Sequence, residues 1–181
     1  YIIYMILGLD ISTSIVGATI ISSAGNVVTT YAWDMRNKNH FPDIYTKYNH
    51  VQQELLDIFS NYSIEHIFIE QSLQMFRSGF SSAKTLSSLS PFNGFVSYLC
   101  YRESGIKAEH IPASSARKSC GIKIAKGIKA KEQVVKFLLD NEPKFTVEYT
   151  KSGNLKPKYY DIADSIVIAK AGYEICQSRK K

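Results

Sequence analysis

Two apolar runs in this chain each end in an acid, and what lies between them restricts the fold more than any other feature. The first run is "YIIYMILGL", residues 1–9, followed by Asp10; the second is "IEHIFIE", residues 64–70, closing on Glu70. Between them, Ile44, Tyr48, Val51, Leu55, Ile58 and Phe59 recur at helical spacing after Asp43, a residue suited to an N-cap. That spacing predicts an amphipathic helix ending near Asn61. Strand, helix, strand is a crossover, which leaves the second run parallel to the first. The C-terminal ends of both then share one edge of a sheet, and Asp10 and Glu70 stand there together.

The other segments fit around this pair. "VGATIISS" (16–23) and "VVTTYAWDM" (27–35), joined through Ala24, Gly25 and Asn26, complete a three-stranded meander with strand one, and "IKAEHIP" (106–112) reads as a fifth strand. Helices are expected over 82–103, from about Lys129 to Leu139, and from Asp161 to about Gln177. In the first of these, Leu86, Leu89, Phe92, Phe95, Val96, Tyr98, Leu99 and Tyr101 cover more than one face, and Pro91 can kink or divide it. One stripe suffices for packing on a sheet. The surplus suits a subunit interface or a helix buried within its own domain. Residues 141–160 read as a polar, turn-rich, exposed excursion. The expectation is an α/β domain spanning residues 1–181, with a mixed five-stranded sheet (an antiparallel meander plus parallel strands) flanked by helices.

Charge is concentrated rather than spread. Residues 117–136 hold seven basic side chains, Arg117, Lys118, Lys123, Lys126, Lys129, Lys131 and Lys136, against the single acid Glu132. Removing them from totals of 22 basic and 16 acidic residues leaves fifteen of each, so the whole net charge of +6 resides in this segment. Such a patch suits a polyanion, and the alternative is a solvated lysine-rich face. Cys100, Cys120 and Cys176 lie far apart without CxxC spacing, which supports neither a zinc site nor a disulfide framework and favours a reducing compartment. The opening apolar run is too short for a membrane span and lacks the flanks of a signal peptide, so a cytoplasmic location is expected, with Met5 a candidate natural start.

Four acids are brought to one rim by this arrangement. Asp161 and Asp164, three residues apart, share a helix face and can be presented to Asp10 and Glu70. Singly, Asp10 could cap the turn after it and Asp161 its helix. As a set they repel, by about 4 kcal/mol per pair at 4 Å and an effective dielectric of 20. A cation must compensate. Hard oxygen ligands suit Mg²⁺, with Mn²⁺ able to substitute, and two such ions would serve in-line phosphodiester hydrolysis.

"ILGLDIST" (6–13), "IFIEQ" (67–71) and "DIADSIVIA" (161–169), in this order and at about these separations, resemble the RuvC family of Holliday junction resolvases in the RNase H-like superfamily. The resemblance implies that Asp10, Glu70, Asp161 and Asp164 are the catalytic, metal-binding acids. It further implies that Lys131, in "IKAKEQVVKFLL" (128–139), approaches the scissile phosphate and that Lys118, in "ARKSCGI", lies close to DNA. Three departures stand out. Polar residues follow Asp10 as far as Gly17 where the family has an earlier glycine; Leu73, with Met75 and Phe76 downstream, occupies the place of a wedging Phe; and the 141–160 excursion is long.

The function expected is a Mg²⁺-dependent endonuclease that nicks a four-way DNA junction symmetrically as a homodimer, with no membrane association and no nucleotide cofactor. Leu73 and Phe76 would meet DNA as apolar wedges, while Arg117, Lys118, Lys123, Lys126, Lys129 and Lys131 would hold phosphates. Other readings are a relative that cuts other branched DNA or RNA, and a junction-binding protein without catalysis. A sugar-kinase or actin-like ATPase would need two such domains around its nucleotide.

Overall fold

The structure, a computed structural model, describes residues 4–71 and 83–180. Three strands, β1 (Met5–Ile11), β2 (Ile15–Ser22) and β3 (Val27–Asp34), form the antiparallel meander. Helix α1 (Ile44–Asn61) then crosses to β4 (Ile64–Glu70), which pairs with β1 in parallel, Leu7 opposite Ile67 and Leu9 opposite Ile69. Helix α2 (Ala83–Ser104) leads to β5 (Glu109–Ile111), parallel to β4. The sheet order is β3-β2-β1-β4-β5. Three helices follow: α3 (Ala113–Ser119), α4 (Ala130–Asn141) and α5 (Lys158–Ser178).

The alternation of β1 and β4 sorts the core into two layers. Leu7, Leu9, Ile11, Ile67 and Ile69 face α1 and α2, joining Val51, Leu55, Phe92, Val96 and Leu99. Ile6 and Phe68 face the other way, into a cluster built around α5. Each large apolar side chain fully buried here contributes about 1.5–3 kcal/mol. Helix α5 is apolar nearly all round because the sheet covers one side of it while α3 and α4 cover another.

Several expectations change in detail. Asp10 lies inside β1, opposite Gly17, rather than beyond the strand, and the turn that follows is closed by Ser12, whose Oγ accepts from Ile15 N at 3.0 Å and donates to its carbonyl at 2.7 Å. Helix α5 starts three residues before Asp161, so Asp161 occupies the first turn and is not the cap. The fifth strand is only three residues long, and α3, too short to show a period, follows it directly. Pro91 lies within a continuous α2. Asp43 does cap α1, its Oδ1 accepting from Thr46 N at 2.8 Å. The 141–160 excursion is anchored: Phe145 is buried edge-on to the Tyr159 ring, and buried Glu142 pairs with Lys170 at 2.8 Å. Its tip is a small hairpin with Tyr149 bridging Leu155. Leu73, Met75 and Phe76 lie outside the described residues, as do the side chains of Leu86 and Leu89. No helix among the described residues is long and apolar enough to cross a membrane.

Candidate metal centre and nucleic-acid interface

Asp10 and Glu70 follow the inner rows of β1 and β4 that face α5, two residues beyond Gly8 and Phe68. What lets α5 approach that rim is missing side chains. A Cβ on Gly8 would stand 2.5 Å from the backbone nitrogen of Ala169, one on Gly17 2.1 Å from the carbonyl oxygen of Asp161, and one on Gly172 2.2 Å from the Phe68 ring. Glycine within a strand marks such a close approach. A buried hydrogen bond of 2.7 Å between the Thr19 and Ser165 hydroxyls fixes the rotation of α5 on β2. At the end of β4, Asn93 Nδ2 donates to the carbonyl of Glu70 at 3.3 Å, and Gln71 N donates to Ile111 O at 2.9 Å.

The result is a convergence of carboxylates. Asp10, Glu70 and Asp164 each offer an oxygen within 4.8 Å of the others, Asp164 buried and the other two half-buried. Asp161 lies outside this group of three, nearly one helical turn toward the N-terminus of α5, yet its charge acts on Asp10 and Glu70. Burial, reinforced by the charges of Glu70 and Asp164, holds Asp10 well above the usual carboxylate range. Burial first and Asp164 second push Glu70 up to about 7, and burial pushes Asp161 up to about 6. Asp164 is raised too, chiefly by burial.

Lys131 from the first turn of α4 places Nζ 3.6 Å from Asp164 Oδ2 and remains more than half exposed. Burial alone would lower its pKa, but the surrounding acids together raise it. The charge of Arg117 on α3 also acts on Glu70 and Asp164, lowering their proton affinity. Of the remaining basic residues, Lys118, Lys123 and Lys126 are exposed, and Lys129 pairs loosely with Glu132 at 3.7 Å. Arg117, Lys118 and Lys123 border a cleft of about 260 Å³ with Ile122 and Ile124.

Sequence reasoning passed over Arg36. Because β3 runs parallel to β1, its C-terminal end reaches the same rim, and Arg36 there pairs with Asp34 through Nε at 2.8 Å and Nη2 at 2.5 Å. Its charge also acts on Asp161. The topology was signal enough to find it.

The donor set fits a hard divalent cation. Three carboxylates crowded into 4.8 Å, without histidine or cysteine among them, suit Mg²⁺ or Mn²⁺ better than zinc. Only Lys131 pairs directly with the cluster among the described residues, which leaves most of its negative charge for another cation to balance.

No family model matches the sequence, and no curated protein matches it either. Solved structures do. The chain is similar to T. thermophilus RuvC in complex with a Holliday junction substrate, at 12% identity and a TM-score of 0.61, with 96% of each chain covered. A second T. thermophilus RuvC structure gives 13% identity, a TM-score of 0.60 and the same coverage. The yeast mitochondrial Holliday junction resolvase Ydc2 gives 16% identity and 0.62, over 97% of this chain and 80% of that one. With this sheet order and these neighbours, the chain has the RuvC-like form of the RNase H-like α/β fold.

Proposed function

We propose that this protein is a divalent-cation-dependent endonuclease that resolves four-way DNA junctions, nicking two strands symmetrically as a homodimer. The observation that carries the proposal is the meeting of Asp10, Glu70 and Asp164 within 4.8 Å on a fold shared with proteins solved as junction resolvases. Asp10, Glu70, Asp164 and the neighbouring Asp161 would hold Mg²⁺ or Mn²⁺, two ions in the full site. Bound there, such ions neutralise developing charge on a phosphodiester and make a water more acidic.

The chain's own groups do the positioning. Lys131, poised at Asp164 and still half in solvent, can move to a phosphate oxygen once a cation takes over the carboxylates. Arg117, Lys118, Lys123, Lys126 and Lys129 form the phosphate-binding surface. Leu73 and Phe76 are proposed as apolar wedges. A four-way junction has approximate two-fold symmetry, which a two-fold dimer matches. Tyr98 and Tyr101, 54% and 48% exposed on α2, are the side chains proposed for the dimer contact.

Incubation of a labelled synthetic junction with Mg²⁺ tests this reading. Paired nicks in opposing strands are expected, with Asp10→Asn at least about 10³-fold slower. No cleavage by wild type, or undiminished cleavage by the variant, overturns it. A flap, a duplex and an RNA hybrid run alongside separate junction resolution from other nuclease activity, and tight binding without cleavage would mark a non-catalytic binder.

A further inference from the structure

On the β3 side of the acids lies a second cleft, of about 290 Å³, which takes none of its lining from the basic segment. Thr30, Lys144, Thr146 and Lys158 supply its polar lining, and Phe145 and Ile162 its apolar base. Ile162 directly follows Asp161, so the cleft begins one residue from the acid rim. The 141–160 excursion builds one wall. Phe145 and Tyr159, packed edge to face in the core, fix its two ends and so hold Lys144 and Lys158 over the cleft. Neither lysine forms an ion pair among the described residues, whereas Lys156 in the same excursion is taken up by Glu148. Arg36, at the end of β3, is likewise taken up by Asp34.

We propose that the cleft holding Lys144 and Lys158 is a second phosphate-binding flank, so that a DNA strand crossing the acid rim is held there as well as by the basic segment. The proposal rests on the nuclease reading and extends it. The chemistry recognised is the phosphodiester backbone: two lysines offer charge without groups placed to read base edges. The anchored excursion thereby gains a role, presenting cations that the meander alone lacks. Helices α3 and α4 carry Arg117, Lys118 and Lys131, so cations reach the acids from two separate parts of the chain.

The salt dependence of junction binding tests this directly. Each phosphate contact contributes about 0.9 to the slope of log K against log salt. The double variant Lys144→Gln/Lys158→Gln should lower that slope by about 2 and weaken binding by roughly tenfold or more near 0.1 M salt. The rate at saturating junction should stay near that of wild type. Thr146→Glu, which adds a negative charge to the cleft without removing a lysine, should weaken binding similarly. Lys107→Gln, an exposed lysine before β5 at the sheet's opposite edge, should change nothing. An unchanged slope in the double variant, with wild-type cleavage intact, overturns the second flank alone. A reduced slope in a protein that binds but never cuts keeps the flank and removes the nuclease reading. Absence of any junction binding by wild type overturns both.

Discussion

The α-carbon of Gly17 faces the carbonyl oxygen of Asp161 so closely that a Cβ would lie 2.1 Å from it. Gly17 is also the residue paired with Asp10 across β1 and β2. One glycine therefore sets the separation between the strand acid and the helix acids. Gly17→Ala must push the start of α5 outward, because the atom it meets is backbone. Overpacking of this kind costs about 1–3 kcal/mol. The larger effect should fall on chemistry: displacement near 1 Å costs about 10²-fold in rate. Junction cleavage measured beside thermal unfolding checks this, and equal small losses in both would contradict it.

The carboxylate cluster should be a source of instability when no cation is bound. Glu70 and Asp164 raise the proton affinity of Asp10, and Asp164 that of Glu70, on top of burial, while burial alone raises Asp164. Asp10→Asn or Asp164→Asn relieves repulsion at little cost in volume. Near neutral pH without divalent cation, each variant should melt a few °C above wild type. Added Mg²⁺ should raise the wild-type Tm and leave the variants nearly unmoved. Thermal denaturation with and without Mg²⁺ makes the comparison, and a wild type indifferent to Mg²⁺ would argue against the metal site.

Much of this site was legible because strands announce their faces. The alternation in "IFIE" put Ile67 and Ile69 on one side and Glu70 on the other, and the crossover made β4 parallel to β1. The placement of Asp161 was less legible, since a three-residue offset fixes a shared helix face but not which carboxylate reaches the cluster. Glycine patterns hide their partners: Gly8, Gly17 and Gly172 signal a close approach, yet only the fold reveals that α5 makes it with both Gly8 and Gly17. Helix α3 was invisible because seven residues carry too little period to detect. The excursion looked exposed because only two buried aromatics, Phe145 and Tyr159, anchor a segment that is largely polar.

Stability should depend on pH in a direction set by Glu70 and Asp161. Their carboxyls rise from 4.5 to about 7 and from 3.8 to about 6. An acid that holds its proton more tightly folded than unfolded favours the fold below its unfolded pKa and loses that contribution as pH climbs to the folded value. The window is therefore roughly pH 4 to 7. In chelator, the Tm should fall by several °C from about pH 5 to about pH 8. Mg²⁺ should flatten the decline, because a cation replaces the protons. Glu70→Gln should flatten it without Mg²⁺, and a Tm rising over this range would reject the assignment.

Lys131 should influence both the charge state of the cluster and the reaction. Its Nζ, 3.6 Å from Asp164 Oδ2, lowers the proton affinity of every acid in the group. Lys131→Met removes that charge while preserving much of the stem. The acids should then ionise at higher pH, moving the acidic limb of the pH–rate profile alkaline by an amount that Mg²⁺ concentration reduces. If Lys131 also meets the scissile phosphate, the rate at saturating Mg²⁺ should still fall by about 10²–10³-fold. Lys131→Arg keeps the charge and should restore the position of the limb but not the full rate, since a planar fork presents its donors differently from an ammonium. A limb that stays in place in Lys131→Met would mean that this lysine does not govern the acids.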